Sequence, residues 1–242
     1  MKVILVQKPF NLIDTIYIAC RVCYSKKKIK DLIVEAAEKS DKEKIPLIKS
    51  VMSSGHLSTV EHVSYTFGID GMTRIYTQQL VRHRLAAYSQ QSQRYVRASE
   101  IIDEIRENAK SDYSDAPDQL EIYMDQVKQS IDNYNKMVDS LIEKGMEEEE
   151  AFEHARLILP NAVPSNILVT MNLREIIHVC NIRLCKRAQK EIRDVFSIVA
   201  NMITNDHSFL SDYLVPKCKM IGYCNEHKSC KMIITKKELF NI

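Results

Sequence analysis

Apolar residues recur along this chain with two different periods, and the switches between them mark out its elements. Val3–Val6 is a short opening run of strand character, after which Leu12, Ile13, Ile16, Ile18, Ala19 and Val22 recur at helical spacing toward Tyr24. A solvated basic turn, Lys26–Lys30, separates this helix from two further amphipathic stretches, Leu32–Ala37 and Ile45–Met52, the second ended by Gly55. Val63, Tyr65, Phe67 and Ile69 alternate with His62, Ser64, Thr66 and Gly68, a period of two that predicts a half-buried strand closed by Asp70-Gly71. Helical periodicity resumes at Met72, Ile75, Gln79 and Leu80.

The stretch from Asp112 to Glu150 is charged and long, with a partly regular apolar stripe through Leu120, Ile122, Met124, Val127, Ile131, Tyr134, Met137, Val138, Leu141 and Ile142 that predicts a helical arm. Glu147–Glu150 suits a helix start, where carboxylates meet the positive end of the dipole. Ile167–Met171 is β-prone, and Asn172 with Glu175 three residues later forms an N-cap pair opening a helix. A last helix is expected from about Arg187 toward Thr204. No internal repeat or Pro- or Ser-rich linker interrupts this order. The expected fold is therefore α/β, of the α+β kind: a single domain with a central mixed or antiparallel sheet, flanking helices and a long helical arm.

Composition narrows the functional classes. With 45% hydrophobic residues in 242, the chain has the apolar mass for a core, and its 5 glycines and lack of tryptophan favour a helix-rich protein. No pair of glycines has the spacing of a dinucleotide fingerprint or a P-loop, so a phosphate must be held by side chains. A net charge of +2 gives no field pointing to nucleic acid or an anionic membrane as main partner. No apolar run approaches a membrane span, and no export signal is recognisable at Met1–Val6, so a cytoplasmic protein with reduced thiols is expected.

Charge is concentrated locally. From Gly71 to Ser99 the chain has Arg74, Arg82, Arg84, Arg94 and Arg97 but no Asp, Glu or Lys, giving +5 in 29 residues. Guanidinium forks interleaved with Gln79, Gln90, Gln91, Ser89, Ser92 and Tyr95 suit bidentate recognition of phosphates and carbonyls. A basic helix face paired with acids elsewhere in the fold would have the same composition.

The order of residues discriminates. Arg82-His83-Arg84, then seven residues, then Ser92-Gln93-Arg94-Tyr95, resembles the signature of the flavin-dependent thymidylate synthases. Gly55-His56 with Glu61-His62, the lead-in Gln79-Leu80-Val81, Arg156 through Pro160, Asn172 through Arg174, and Ile182-Arg183 through Ala188-Gln189 are similar to further family blocks in family order. The resemblance spans residues 1–225 and leaves 226–242 as a C-terminal tail. It implies a homotetramer with sites shared between subunits, making dTMP from dUMP with FAD, 5,10-methylenetetrahydrofolate and NADPH. Carried over block by block, it implies a flavin-binding set of Ser58, Arg82, His83, Arg84, Gln90, Asn172, Arg174 and His178. The implied dUMP set is Gln79, Leu80, Val81, Arg82, Ser92, Gln93, Arg94, Arg156 and Arg183, and Arg183 is also the catalytic residue, favouring ionisation at N3 of the pyrimidine.

Helix geometry adds a constraint. Arg174 and His178 are four residues apart and share a face, whereas Arg183, nine beyond Arg174, points about 180° away if the helix continues regularly. The competing function is a non-catalytic RNA- or nucleotide-binding module using the arginine window 74–97 with Tyr88 and Tyr95 as stacking surfaces. Departures from the family pattern fall at Ala87, Ser89 and Lys190. Cys20 and Cys23 form a C-x-x-C in an apolar helical setting that suits core packing. Cys218, Cys224, His227 and Cys230 have the ligand types for tetrahedral zinc but no standard finger spacing, and no metal is expected.

Overall fold

The computed structural model describes residues 1–240. In chain order the elements are β1 (Lys2–Gln7), α1 (Leu12–Val22), α2 (Ile29–Glu38), α3 (Asp41–Ser53), β2 (Ser64–Thr73), α4 (Arg74–Leu80), β3 (Ala86–Gln90), α5 (Ile102–Lys110), α6 (Pro117–Glu143), α7 (Glu148–Ala155), β4 (Pro164–Asn172), α8 (Leu173–Arg183), α9 (Lys190–Asp206), α10 (Lys217–Ile221) and α11 (Lys236–Phe240). Among the described residues the strands form one four-stranded sheet in the order β1-β2-β4-β3. The pairing is antiparallel: Thr66 faces Thr170 across a 2.9 Å hydroxyl contact, and five residues further along β2 the N–H of Gly71 donates to Asn166 Oδ1 at 3.1 Å.

The chain divides into two compact units, one of residues 1–2, 68–82 and 88–168, the other of 3–67, 83–87 and 169–242. In the first, α6 lays Met124, Val127, Ile131, Tyr134 and Val138 along one buried stripe, at the i, i+3, i+4 spacing that puts side chains on a single helix face. Ile105 of α5 joins the first three, and Phe152 and Ala155 of α7 join Tyr134 and Val138. Proline at the first helical position starts α6, where its missing N–H costs nothing. The expected arm is thus α6 and α7, folded back on each other.

The second unit packs α1 on α2 and α3, and α8 on α9. Its core includes Ile16, Leu32, Ile48, Leu173, Ile176 and Val195, all fully buried, each contributing about 1.5–3 kcal/mol relative to an exposed side chain. Lys44 of α3 is a buried cation held by Asp14 of α1, by Asp41 at 3.1 Å and by the carbonyl of Ala36 in α2 at 3.2 Å. One ammonium thereby ties three helices together.

Two expectations are corrected. Asp70-Gly71 does not end the strand; β2 runs on to Thr73, because Gly71 takes φ +73° inside it and lets the chain continue. The last long helix starts at Lys190, since Arg187–Gln189 form the turn leading into it.

Candidate active site

In the second unit the site is built by α8. Asn172, the last residue of β4, caps this helix by accepting the Glu175 N–H at 2.9 Å, as the sequence pair predicts. The helix then runs unbroken through Cys180 and Asn181 to Arg183, so the expected half-turn offset between Arg174 and Arg183 holds. Leu173, Ile176, Ile177, Val179 and Cys180 bury the inner face, and burial raises the Cys180 thiol pKa, so this group is a packing residue.

His83 is 7% exposed and sits against this helix. Arg183 Nε donates to His83 Nε2 at 3.0 Å, and the His178 ring lies edge-on to the His83 ring with centroids 6.1 Å apart. Guanidinium N–H groups only donate, so His83 Nε2 is the acceptor and the neutral ring has its proton on Nδ1. That nitrogen faces the buried carboxylate of Glu175 at 3.8 Å, beyond hydrogen-bond length. Burial pushes the His83 pKa from the ordinary 6.5 down to about 4, and the charges of Arg183 and His178 push the same way. Arg183 is half-buried, and desolvation lowers its pKa.

His83, Glu175 and His178 have ligand atoms all within 4.8 Å of one another, the donor set of a two-His, one-carboxylate metal centre. The guanidinium occupies one ring nitrogen of His83, however, so His83 works as the hydrogen-bond acceptor that aims Arg183, with Glu175 and His178 packed beside the ring. Glu175 was missed as a site residue because it reads as a capping partner; an acid on an otherwise apolar helix face, three residues before a histidine, is the signal that marks it. Arg174 and Ser58 are exposed in the same unit, and Arg174 pairs with Glu61, an exposed contact worth roughly 0–1 kcal/mol that an anion can displace. Arg84 is exposed too.

The first unit holds the remaining predicted residues. Ser92 and Gln93 line a cavity of about 140 Å³ with Arg97, Glu104, Pro164 and Asn166. The Ser92 hydroxyl accepts the Arg94 N–H at 3.2 Å, a turn contact, and Gln90 donates to Ser165 at 3.1 Å. Arg94 is exposed, pairs with Glu153 at 2.9 Å and lies over the Tyr95 ring. Gln79 is half-buried, Val81 and Arg82 are exposed, and the Leu80 side chain is fully buried while its carbonyl accepts the Tyr88 hydroxyl at 2.9 Å. Arg74 is partly buried beside Arg156, and burial with that neighbouring charge depresses its pKa. None of the ion pairs among the described residues engages Arg74 or Arg156, so two like charges stand together where an anion would relieve them. Arg97 is different: it binds Asn135 and Asp139 of α6 and braces that helix.

Within a glycine-poor α+β chain, the half-buried Arg183 of one unit and the adjacent Arg74 and Arg156 of the other are the chemistry of a protein class that holds anions with side chains. The family model described as Thymidylate synthase complementing protein matches residues 5–206, and the chain belongs to this family, the flavin-dependent thymidylate synthases. It is 37% identical over 216 residues to the flavin-dependent thymidylate synthase of Nitratidesulfovibrio vulgaris, covering 88% of this chain and 86% of that one. The Pyrococcus abyssi enzyme of the same name is 37% identical over 80% of this chain and 78% of its own. The crystal structure of the Helicobacter pylori flavin-dependent thymidylate synthase, complexed with FAD and dUMP, has the same fold: TM-score 0.65 at 21% identity, covering 89% of this chain and 100% of that one. Among the described residues no helix is long and apolar enough to cross a membrane.

Proposed function

We propose that this chain converts dUMP to dTMP by reductive methylation, with 5,10-methylenetetrahydrofolate as one-carbon donor, NADPH as reductant and FAD as resident cofactor, acting as a cytoplasmic homotetramer whose subunits share sites. Its catalytic domain is residues 1–225, with 226–242 as a tail. The observation that carries this proposal is the half-buried Arg183 guanidinium, held by a neutral imidazole at the end of a regular helix.

A desolvated cation favours a nearby anion more strongly than a hydrated one does. Placed beside the N3 and O2/O4 edge of uracil, Arg183 stabilises the negative charge that makes C5 nucleophilic. The His83 acceptor fixes the direction of the guanidinium, so orientation is settled before dUMP arrives. No protein nucleophile is needed, and the Ser92 hydroxyl, engaged by a backbone N–H, has a binding role.

The donors fit FAD: a pyrophosphate asks for cationic forks and hydroxyls, which Ser58, Arg82, Arg84 and Arg174 supply, while Gln90, Asn172 and His178 offer hydrogen bonds and His83 adds to the positioning of Arg183. When bound, flavin supplies the hydride chemistry that no side chain can. The phosphomonoester of dUMP falls to Arg156, Arg94, Arg82, Gln79, Ser92 and Gln93, with backbone groups of Leu80 and Val81. A non-catalytic polynucleotide module fits less well, because Tyr88 is committed to the Leu80 carbonyl and Arg97 to α6.

The test uses purified full-length protein. Flavin absorbance bleached anaerobically by NADPH, and folate-dependent tritium release from 5-tritiated dUMP, are expected. Arg183→Ala should keep the flavin and lose tritium release. A colourless protein that takes up no FAD and releases no tritium refutes the proposal.

A further inference from the structure

Four of the seven cysteines converge near the C-terminal end of α8. Cys185 lies just beyond the C-terminus of α8, Cys218 in α10, Cys224 past the left-handed Gly222, and Cys230 in the loop that follows. All four line one cavity of about 190 Å³ within the second unit, and all are free thiols. His227, which the tail spacing suggests as a ligand, is not among the lining residues; Cys185 takes its place.

The segment around them lacks a core. From Val215 to Phe240 the single buried residue among those described is Cys224. Its backbone closes a loop, with the Cys224 N–H donating to the Ile234 carbonyl at 2.8 Å and the Lys236 N–H to the Cys224 carbonyl at 2.9 Å. Asn181 of α8 holds the carbonyls of Tyr213 and Val215, and Arg187 pairs with Glu226 at 2.5 Å. A short segment with a single buried residue, closed around cavity-lining thiols, is the kind of structure that a metal or a disulfide staples.

We propose that Cys185, Cys218, Cys224 and Cys230 bind a structural zinc ion that fastens the C-terminal segment to the end of α8. Four soft sulfur donors select zinc over magnesium or calcium and leave no open position for substrate. Cys218 shares the cavity with Cys185, Cys224 and Cys230, and a divalent cation among them would be bound by each sulfur as the thiol loses its proton. Lys217 lines the same cavity and offsets part of the net negative charge of a zinc tetrathiolate, while Arg187 there is already paired with Glu226. In a tetrahedral site the sulfurs sit about 3.8 Å apart. The one described trio of donor atoms within 4.8 Å of one another is His83, Glu175 and His178, so metal binding draws the four thiols together and tightens residues 215–235.

The proposal is tested on full-length protein, purified under reducing conditions and assayed for zinc by release with a thiol-specific mercurial. One zinc per chain is expected, with Co²⁺ substitution giving thiolate-to-cobalt charge transfer and the visible bands of tetrahedral sulfur coordination. Cys185→Ser and Cys224→Ser should each lower zinc content at least tenfold, while Cys23→Ser and His227→Ala keep it. Hydrogen exchange in 215–235 should slow on zinc addition to stripped protein. A reduced wild-type protein that takes up neither zinc nor cobalt, zinc retained by Cys185→Ser but lost from His227→Ala, or disulfides among the four cysteines in freshly isolated protein would each overturn it. Flavin absorbance and tritium release report separately, so failure here is distinguishable from failure of the proposed activity.

Discussion

Protonating His83 tests the link between fold and chemistry most directly. Its pKa is about 4 in the folded chain against 6.5 when unfolded, because the ring is buried and flanked by Arg183 and His178. Between those values the unfolded chain binds a proton that the folded chain does not, so stability rises with pH across the window and is lost as pH falls through it. At about 1.4 kcal/mol per pH unit, the interval from 6.5 to about 4 corresponds to about 3 kcal/mol. Replacing His83 by glutamine supplies an amide oxygen for the Arg183 N–H and removes the titration. Urea unfolding of both proteins at fixed flavin saturation, from about pH 7 to about pH 4.5, isolates this residue, since carboxylates titrating in the same range are common to both. The stability of the wild type relative to His83→Gln should fall by about 2–3 kcal/mol over that range. Parallel curves would show that the fold does not hold this imidazole neutral. A protonated ring also presents a donor to a donor, so kcat/KM of the wild type should decline on the acid side more steeply than that of the variant.

Other substitutions probe separate parts of the molecule. Arg183→Lys keeps the charge but loses the Nε–H that His83 accepts, and tritium release should fall at least about 10²-fold with flavin absorbance intact. Lys44→Met leaves Asp14 without its buried cation and should cost about 2–3 kcal/mol in urea unfolding, with the flavin spectrum of the folded protein unchanged. Gly71→Ala forces a side chain into φ +73° with its Cβ 2.5 Å from Glu104 Oε1, and a loss of about 1–2 kcal/mol should appear as a lower urea midpoint.

Elements that bury one face were legible in the sequence. The alternation Val63-Tyr65-Phe67-Ile69 marked β2, the Asn172–Glu175 pair marked the start of α8, and the stripe of α6 gave the arm. β3 was not legible, because Ala86–Gln90 is held by backbone pairing to β4 and buries no row of large apolar residues. α5 escaped for a related reason: only Ile105 and Ala109 of its nine residues are buried. Within the arginine window composition treats all five alike, whereas the fold commits Arg97 to α6 and leaves Arg74 beside Arg156. That difference depends on which acids the rest of the chain brings close. Cys185 was invisible for the same reason, since its cavity partners are far away in sequence.

The unbroken course of α8 sets a rule for tolerated changes of length. One residue inserted between Glu175 and Arg183 would swing the guanidinium by about 100° and carry it about 1.5 Å along the axis, off the histidine that aims it. A change of length in a surface connection leaves this spacing untouched, while the stretch from Glu175 to Arg183 keeps its aim only with its residue count intact.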